Sequence, residues 1–191
     1  MRQRPWLGTV EMRTFVGDPS DGLVPVDEAD GLTERPGMNG GAELVVHGRT
    51  LIDVALRTDV DQLWAYFAGM IDSLAKGASC ARTRFPDDPA RFGMALQRDD
   101  TVVVVLDGTE RRRAVADRQV FLEAFCHAGI AFADHVERLG RVAPAGLRRT
   151  FLACLDGLDR GEWPVVRVPG YAGPAAEDDL KEFFGVHRLA W

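Results

Sequence analysis

The sequence predicts an α+β fold in which an antiparallel sheet packs against helices. Short strand-like segments follow one another with brief turns between them, which favours antiparallel pairing. Two longer segments repeat apolar residues at helical spacing. The strands are grouped and do not alternate one by one with helices, which argues against a parallel β/α arrangement. We expect one domain of five to seven strands, a hairpin plus a meander, packed by two long amphipathic helices, with a third helix and an extended, proline-containing tail.

The first part of the chain supplies a strand, a long loop and a hairpin. Residues 9–16 have the character of a strand. Residues 17–42 are rich in glycine, proline and aspartate, and we predict a long flexible loop there. Residues 43–47 and 51–56 flank a short turn and predict a β-hairpin.

Two helices and the strands between them form the centre of the predicted fold. Thr58 is expected to cap a helix over residues 59–76, which Gly77 ends. Short strands within residues 79–116 then predict an antiparallel meander, because the turns that join them are short. A second long helix is predicted over residues 117–139.

The last part of the chain is predicted to wrap the domain. A third helix is expected over residues 144–157, followed by a tail over residues 160–191. Prolines exclude the first half of this tail from the centre of a sheet. A short helix over residues 177–184 is expected near its end.

The segment Thr101–Asp107 is apolar on both faces, unlike its neighbours in the meander. Alternation turns every second residue toward the core and leaves Val103 and Val105 on the outer face. Arg82 and Arg84 edge this outer floor of small residues. Such a surface is expected to be covered, by the protein's own chain, by a second copy, or by a partner or ligand. The sequence leaves these covers open, and we take the four residues as a candidate interface or pocket.

Acidic residues are predicted to gather at one end of the meander. Successive turns alternate between the two ends of such a sheet, so the first and third turns share an end. This places Asp87, Asp88, Asp107 and Glu110 together. We interpret them as a candidate patch for a basic partner or a weak cation site; alternatively, they bond the local backbone of their turns.

No catalytic set, metal site or cofactor is predicted. Cys126 and His127 are neighbours on a helix and point about 100° apart, so they cannot pair as nucleophile and base. The three cysteines lack metal-binding spacing. A rival hypothesis is an enzyme or small-molecule binder with a pocket between the sheet and residues 17–42. Its polar groups would be Arg82, Arg84, Asp53 and His47.

Composition limits the remaining classes. The 191 residues carry a net charge of −6, which makes nucleic acid an unlikely partner and favours basic proteins. No apolar run approaches the roughly 20 residues of a membrane span, and no signal peptide is evident. Arginine far outnumbers lysine, which is typical of a GC-rich bacterial genome. We therefore expect a bacterial, cytoplasmic protein with reduced cysteines.

The leading hypothesis from the sequence is a non-enzymatic protein-binding module that binds another protein or itself. One specific version is an acidic inhibitor or immunity-type protein that neutralises a basic partner. The alternatives are the small-molecule binder described above and a homo-oligomeric structural protein.

Overall fold

The computed structural model describes residues 8–17, 22–29, 38–162 and 180–185. The strands found there are β1 (Val10–Val16), β2 (Val24–Pro25), β3 (Asn39–Val46), β4 (Arg49–Ile52), β5 (Thr58–Asp59), β6 (Cys80–Arg84), β7 (Arg91–Leu96), β8 (Thr101–Asp107) and β9 (Arg111–Asp117). The helices are α1 (Val60–Ala75), α2 (Arg118–Arg138) and α3 (Leu147–Asp159), and residues 180–184 add a short helical segment. The predicted mixed α+β class is confirmed. Most of the predicted tail, residues 163–179 and 186–191, lies outside the described residues.

The strands form two antiparallel sheets, where we expected one. A five-stranded sheet has the order β2-β1-β3-β4, with β5 paired to β3. The meander forms a separate four-stranded sheet in the order β6-β7-β8-β9. A side chain links the two sheets, because His47 Nε2 lies 2.7 Å from the backbone oxygen of Val115. Short turns predicted the neighbours within each sheet but gave no information on how the hairpin and the meander join.

Strand β3 begins at Asn39, inside the segment that we expected to be loop. In the sequence its glycines indicate loop residues, but in the structure they allow neighbouring backbone to approach closely. Gly40 pairs with Val16, and a Cβ at Gly40 would lie 2.1 Å from the backbone oxygen of Phe15. Glycine is therefore required here by the approach of β1, which a sequence pattern does not reveal.

Helix α1 begins one residue later than predicted. Thr58 belongs to β5 and pairs with Gly40, so Asp59 takes the cap position. The Asp59 carboxylate accepts a hydrogen bond from the backbone N–H of Gln62 at 3.1 Å. This contact satisfies one of the N–H groups that a helix start leaves unpaired.

The main hydrophobic core lies between the helices and the inner faces of the sheets. Trp64 is fully buried there. Its ring packs against four phenylalanines with centroid distances of 5.5–6.0 Å, namely Phe67, Phe125, Phe132 and Phe151. Its Nε1 donates to the Thr14 hydroxyl at 3.0 Å, so the one polar atom of the indole is satisfied.

Strand β8 contributes to two separate clusters. Val102, Val104 and Leu106 belong to the main core. Val103 and Val105 belong to a smaller cluster on the opposite face of the four-stranded sheet. The sheet therefore separates a large aromatic core from a second, much smaller apolar layer.

Candidate interaction surfaces

The outer face of the four-stranded sheet is covered by the protein's own residues 180–185. Phe183 and Phe184 are buried on it, and Val103 and Val105 beneath them are no more than 2% exposed. The two phenylalanine rings contact each other edge to face, with centroids 4.9 Å apart. We call residues 180–185 the cover segment, and the sheet surface beneath it the outer face.

Gly93, in the middle of β7, makes room for the cover segment. A Cβ at this position would lie 2.4 Å from Phe183 Cε1 and 2.9 Å from two atoms of the Phe184 ring. Any side chain at Gly93 would therefore push both rings away. A glycine inside a strand often marks such a close approach.

Arginines of β9 bind the end of the cover segment. Arg111 Nη2 donates to the backbone oxygens of Glu182 at 2.7 Å and Phe183 at 2.5 Å. Arg113 Nε donates to the backbone oxygen of Phe184 at 3.1 Å. Carbonyls at a helix C-terminus lack partners within the helix, and guanidinium groups are suitable donors for them.

Two further arginines approach the Phe183 ring. The guanidinium carbon of Arg91 lies 5.2 Å from the ring centroid, and that of Arg82 lies 5.9 Å from it. These distances permit cation–π attraction. Arg82 and Arg84 are both exposed on β6, and of the two it is Arg82 whose guanidinium lies over the cover segment.

The contacts of the cover segment nearly balance the cost of ordering it. Burying each phenylalanine contributes about 1.5–3 kcal/mol. A hydrogen bond from a charged group contributes about 1.5–3 kcal/mol. Ordering the backbone costs about 1–2 kcal/mol per residue across the segment. Two rings and three arginine hydrogen bonds give a gain of similar size to that cost, so the segment is held by a small net free energy.

Two of the predicted acidic-patch residues are ion-paired within the sheet. The register aligns Arg84, Arg91, Asp107 and Arg111 across the four strands, which places the first and third turns at one end. Asp107 accepts hydrogen bonds from Arg91, with 3.1 Å between Arg91 Nε and Asp107 Oδ2. Glu110 pairs with Arg112 at 3.5 Å. Arginine charge therefore offsets both carboxylates.

Asp87 and Asp88 bond backbone N–H groups. Asp87 Oδ2 accepts from the backbone N–H of Asp59 at 2.9 Å, which ties the first turn of the meander to the start of α1. Asp88 Oδ1 accepts from the backbone N–H of Ala90 at 2.8 Å. Both contacts are the local bonding that aspartates make in turns.

Asp61 adds a further carboxylate in the first turn of α1. Burial raises its pKa, with a smaller upward contribution from Asp59, while Arg141 at 3.5 Å lowers it in part. The net direction shows that the charged form of Asp61 is less favourable in this fold than in water.

A second apolar surface lies on α3 and is open to solvent. An open groove of about 1000 Å³ runs along the start of α3 and the loop before it. Its apolar lining includes Ala143, Pro144, Leu147 and Leu152. Leu152 is 46% exposed, and Val142, next to Ala143 in the chain, is 94% exposed.

Charged side chains of both signs surround this groove. Arg148 pairs with Asp134 at 2.5 Å, and Asp156 pairs with Arg160 at 2.6 Å. Arg149 also lines the groove and is exposed. An apolar floor with a charged rim is the usual arrangement of a protein-binding surface.

The polar groups of the rival pocket are in separate places. His47 contacts β9, whereas Arg82 and Arg84 lie on β6, three strands away across the sheet. Neighbouring strands are about 4.8 Å apart, so His47 and the arginines are separated by more than 10 Å. Asp53 accepts from the backbone N–H of Ala55 within its own turn.

The remaining reactive side chains do not form a catalytic arrangement in the described ranges. Cys126 is buried and His127 is exposed, as expected for neighbours on a helix that point in different directions. The hydrogen bond with Cys154, together with burial, raises the pKa of Cys126. Residues 8–17, 22–29, 38–162 and 180–185 hold no cluster of three metal-ligating side chains.

Sequence reasoning missed the two features that dominate these surfaces. The seat of Phe183 and Phe184 had one usable signal, the glycine in the middle of β7. The α3 groove had another, because Leu152 lies outside the apolar stripe of its helix. No described helix has the length and apolar character to cross a membrane. No protein-family model, curated protein or solved structure matches the chain.

Proposed function

We propose that this chain is a non-enzymatic protein-binding module and that it binds its partner through the groove on α3. The observation that carries the proposal is the apolar surface left uncovered there. Leu152 is exposed in the lining of a groove whose rim carries charged side chains, and Val142, next to the lining residue Ala143 in the chain, is also exposed. Large exposed apolar side chains beside a concave surface are typical of a site that is buried in a complex.

The open form of the groove favours a protein over a small molecule. A small-molecule site encloses most of its ligand and directs a few polar groups at it. The α3 groove is open along its length, and Arg148 and Asp156 at its rim are bound in ion pairs. A partner that lays an apolar segment against Leu152 would bury the surface that is now exposed.

The net charge of −6 supports a basic partner for this module. Charge of this sign raises the rate of encounter with a basic protein, and the effect weakens as salt is added. Arginines offset the acidic end of the meander, so this support comes from the net charge of the whole chain and not from that end. An inhibitor of a basic protein is the specific form of the proposal.

The experiment compares two substitutions of exposed apolar residues on helices. Leu152→Arg changes the groove, and Val120→Arg changes a residue of similar exposure, 39%, on α2. Tagged wild-type protein and both variants are used for affinity capture from a native lysate at low and high salt, and any captured protein is then purified and titrated. We expect one basic protein that binds the wild type and Val120→Arg but not Leu152→Arg.

Two results would contradict the proposal. Equal binding of the partner to Leu152→Arg and to the wild type would exclude the groove as the contact surface. Capture of further copies of the same chain, lost on Leu152→Arg, would instead support the homo-oligomer alternative. Light scattering of the purified protein separates that case from a complex with another protein.

A further inference from the structure

We propose that the outer face of the four-stranded sheet is an exchangeable binding site, which holds the cover segment of its own chain and accepts the same segment from a second copy. The proposal does not depend on the α3 groove. The ligand that it names is a short helical segment with two adjacent aromatic side chains whose last carbonyls accept hydrogen bonds from arginine. Residues 180–185 provide that ligand.

The outer face has the features of a built receptor for this segment. Gly93 leaves the space that the Phe183 and Phe184 rings fill. Arg111 and Arg113 bind three successive carbonyls of the segment at 2.5–3.1 Å. Both the space and the donors are specific for aromatic rings followed by a helix end. The cover segment of a second copy therefore fits the face as well as the chain's own segment does.

The cover segment can leave without breaking the main core. The outer cluster consists of Ala95, Val103 and Val105 with the two phenylalanines, and it shares no buried residue with the core on the other side of the sheet. The ladders that join the strands include no residue of the cover segment, so its release breaks none of their hydrogen bonds. Loss of the segment is therefore a local event.

The chain is long enough for exchange. Residues 163–179 connect the end of α3 to the cover segment. A chain of that length spans at most roughly 60 Å, which exceeds the radius of a domain of this size. Exchange between copies conserves every contact of the segment. The segment of the same chain competes with that of a second copy, because its effective concentration at the face is high.

The test mixes two variants that each lack half of the site. Phe183→Ala/Phe184→Ala removes the ligand and leaves the face empty. Gly93→Leu blocks the face and leaves the ligand intact, because a side chain at this position collides with both rings. We expect the mixture to form a one-to-one dimer in sedimentation velocity while each variant alone stays monomeric.

The size of the expected gain in association depends on removing the competition from each chain's own segment. We expect the two variants to associate about a hundredfold more tightly than two wild-type copies, because neither carries a complete site. A chain that carries both sets of substitutions is the control and must fail to bind either variant. Leu152→Arg in both partners must leave the association unchanged, which separates this site from the α3 groove.

Failure to associate would overturn the proposal if both variants show cooperative thermal unfolding. If the double alanine variant does not fold, the single variant Phe184→Ala replaces it, because it weakens the ligand and leaves every receptor residue of the face in place. A labelled peptide of residues 177–188 then provides a second measurement. The peptide must bind the variant with the vacated face more tightly than it binds the wild-type chain. If a peptide with alanines at positions 183 and 184 binds that variant equally well, the proposal is overturned.

Discussion

Both faces of the four-stranded sheet are shielded from water, but very different amounts of the chain cover them. The inner face packs against helices α1 and α2, and α3 packs on these two helices, in a core whose aromatic rings surround Trp64. The outer face is closed by one short segment with two phenylalanines. The same strand, β8, serves both, with Val104 on the inner face and Val103 on the outer face.

The comparison shows that burial alone does not measure how firmly a residue is held. Val103 and Val104 are both almost fully buried, at 2% and 0% exposure. Exposing Val104 to water requires opening the main core, whereas exposing Val103 requires only the release of residues 180–185. Stability in this sheet is therefore expected to differ between residues that are adjacent in sequence.

The largest effect is expected for Val104→Asp. The substitution places an unpaired charge in the main core, where water cannot reach it unless the helices separate from the sheet. We expect a loss of more than about 4 kcal/mol in the free energy of unfolding, which is enough to unfold a typical domain. Circular dichroism and denaturant titration give the answer, and a folded variant would show that the assignment of faces is wrong.

A matched pair of phenylalanine truncations measures the difference between the faces. Phe125 contacts Trp64 and Phe67 in the main core, so Phe125→Ala should cost about 3–5 kcal/mol. Phe184→Ala should cost less than about 2 kcal/mol, because the loss cannot exceed the free energy that holds the cover segment. Urea titration measures both, and equal losses would remove the distinction between the faces.

Val103→Asp should be tolerated at a cost of about 1–3 kcal/mol. The new carboxylate regains water when the cover segment lifts, and it lies near Cys80, whose partner across the ladder is Ala95. We expect a cooperative unfolding transition together with fast thiol labelling of Cys80. Loss of the folded state would show that the cover segment cannot separate from the sheet.

The smallest effect is expected for Arg113→Gln, with Arg112→Gln as its control. The side chain of Arg113 reaches the cover segment, whereas Arg112, one residue away, pairs with Glu110. Each change should alter the free energy of unfolding by less than about 1 kcal/mol, because glutamine can still donate a hydrogen bond and the loss of one contact cannot exceed the small net free energy that holds the segment. Only Arg113→Gln should speed the labelling of Cys80, and equal rates in the two variants would exclude the arginine contact as a support of the segment.

The sequence predicted local features well because short-range rules produce them. The turns of the meander set its strand order, and alternation assigned Val103 and Val105 to the face opposite Val104. The division into two sheets depends on how the hairpin meets β8 and β9, and the turns of the meander do not determine those contacts. The place of Phe183 and Phe184 depends on strands about 80 residues earlier in the chain, which no local pattern encodes.

For the acidic patch, unlike the cover segment, the position could be predicted from the sequence but the contacts could not. The meander brings its two acidic turns to one end, but the register also puts Arg91 opposite Asp107. Arginine neighbours come from other strands, so a reading of turn composition overstates the free charge. The exposure of Leu152 could have been predicted from its place outside the apolar stripe of α3, but periodicity does not describe the groove beside it.

Native-state thiol labelling tests most directly whether the outer face opens locally while the inner face opens only with the whole fold. Burial raises the pKa of Cys80, with smaller opposing effects from Ser79 and Arg82, so release of the cover segment should lower this pKa and expose the thiol. Cys126 lies in the main core. Wild-type protein is labelled in increasing subdenaturing guanidinium, and mass spectrometry separates the cysteines. We predict a Cys80 rate that barely changes with denaturant and a Cys126 rate that rises steeply. Equal denaturant dependence at both thiols would contradict this difference between the faces.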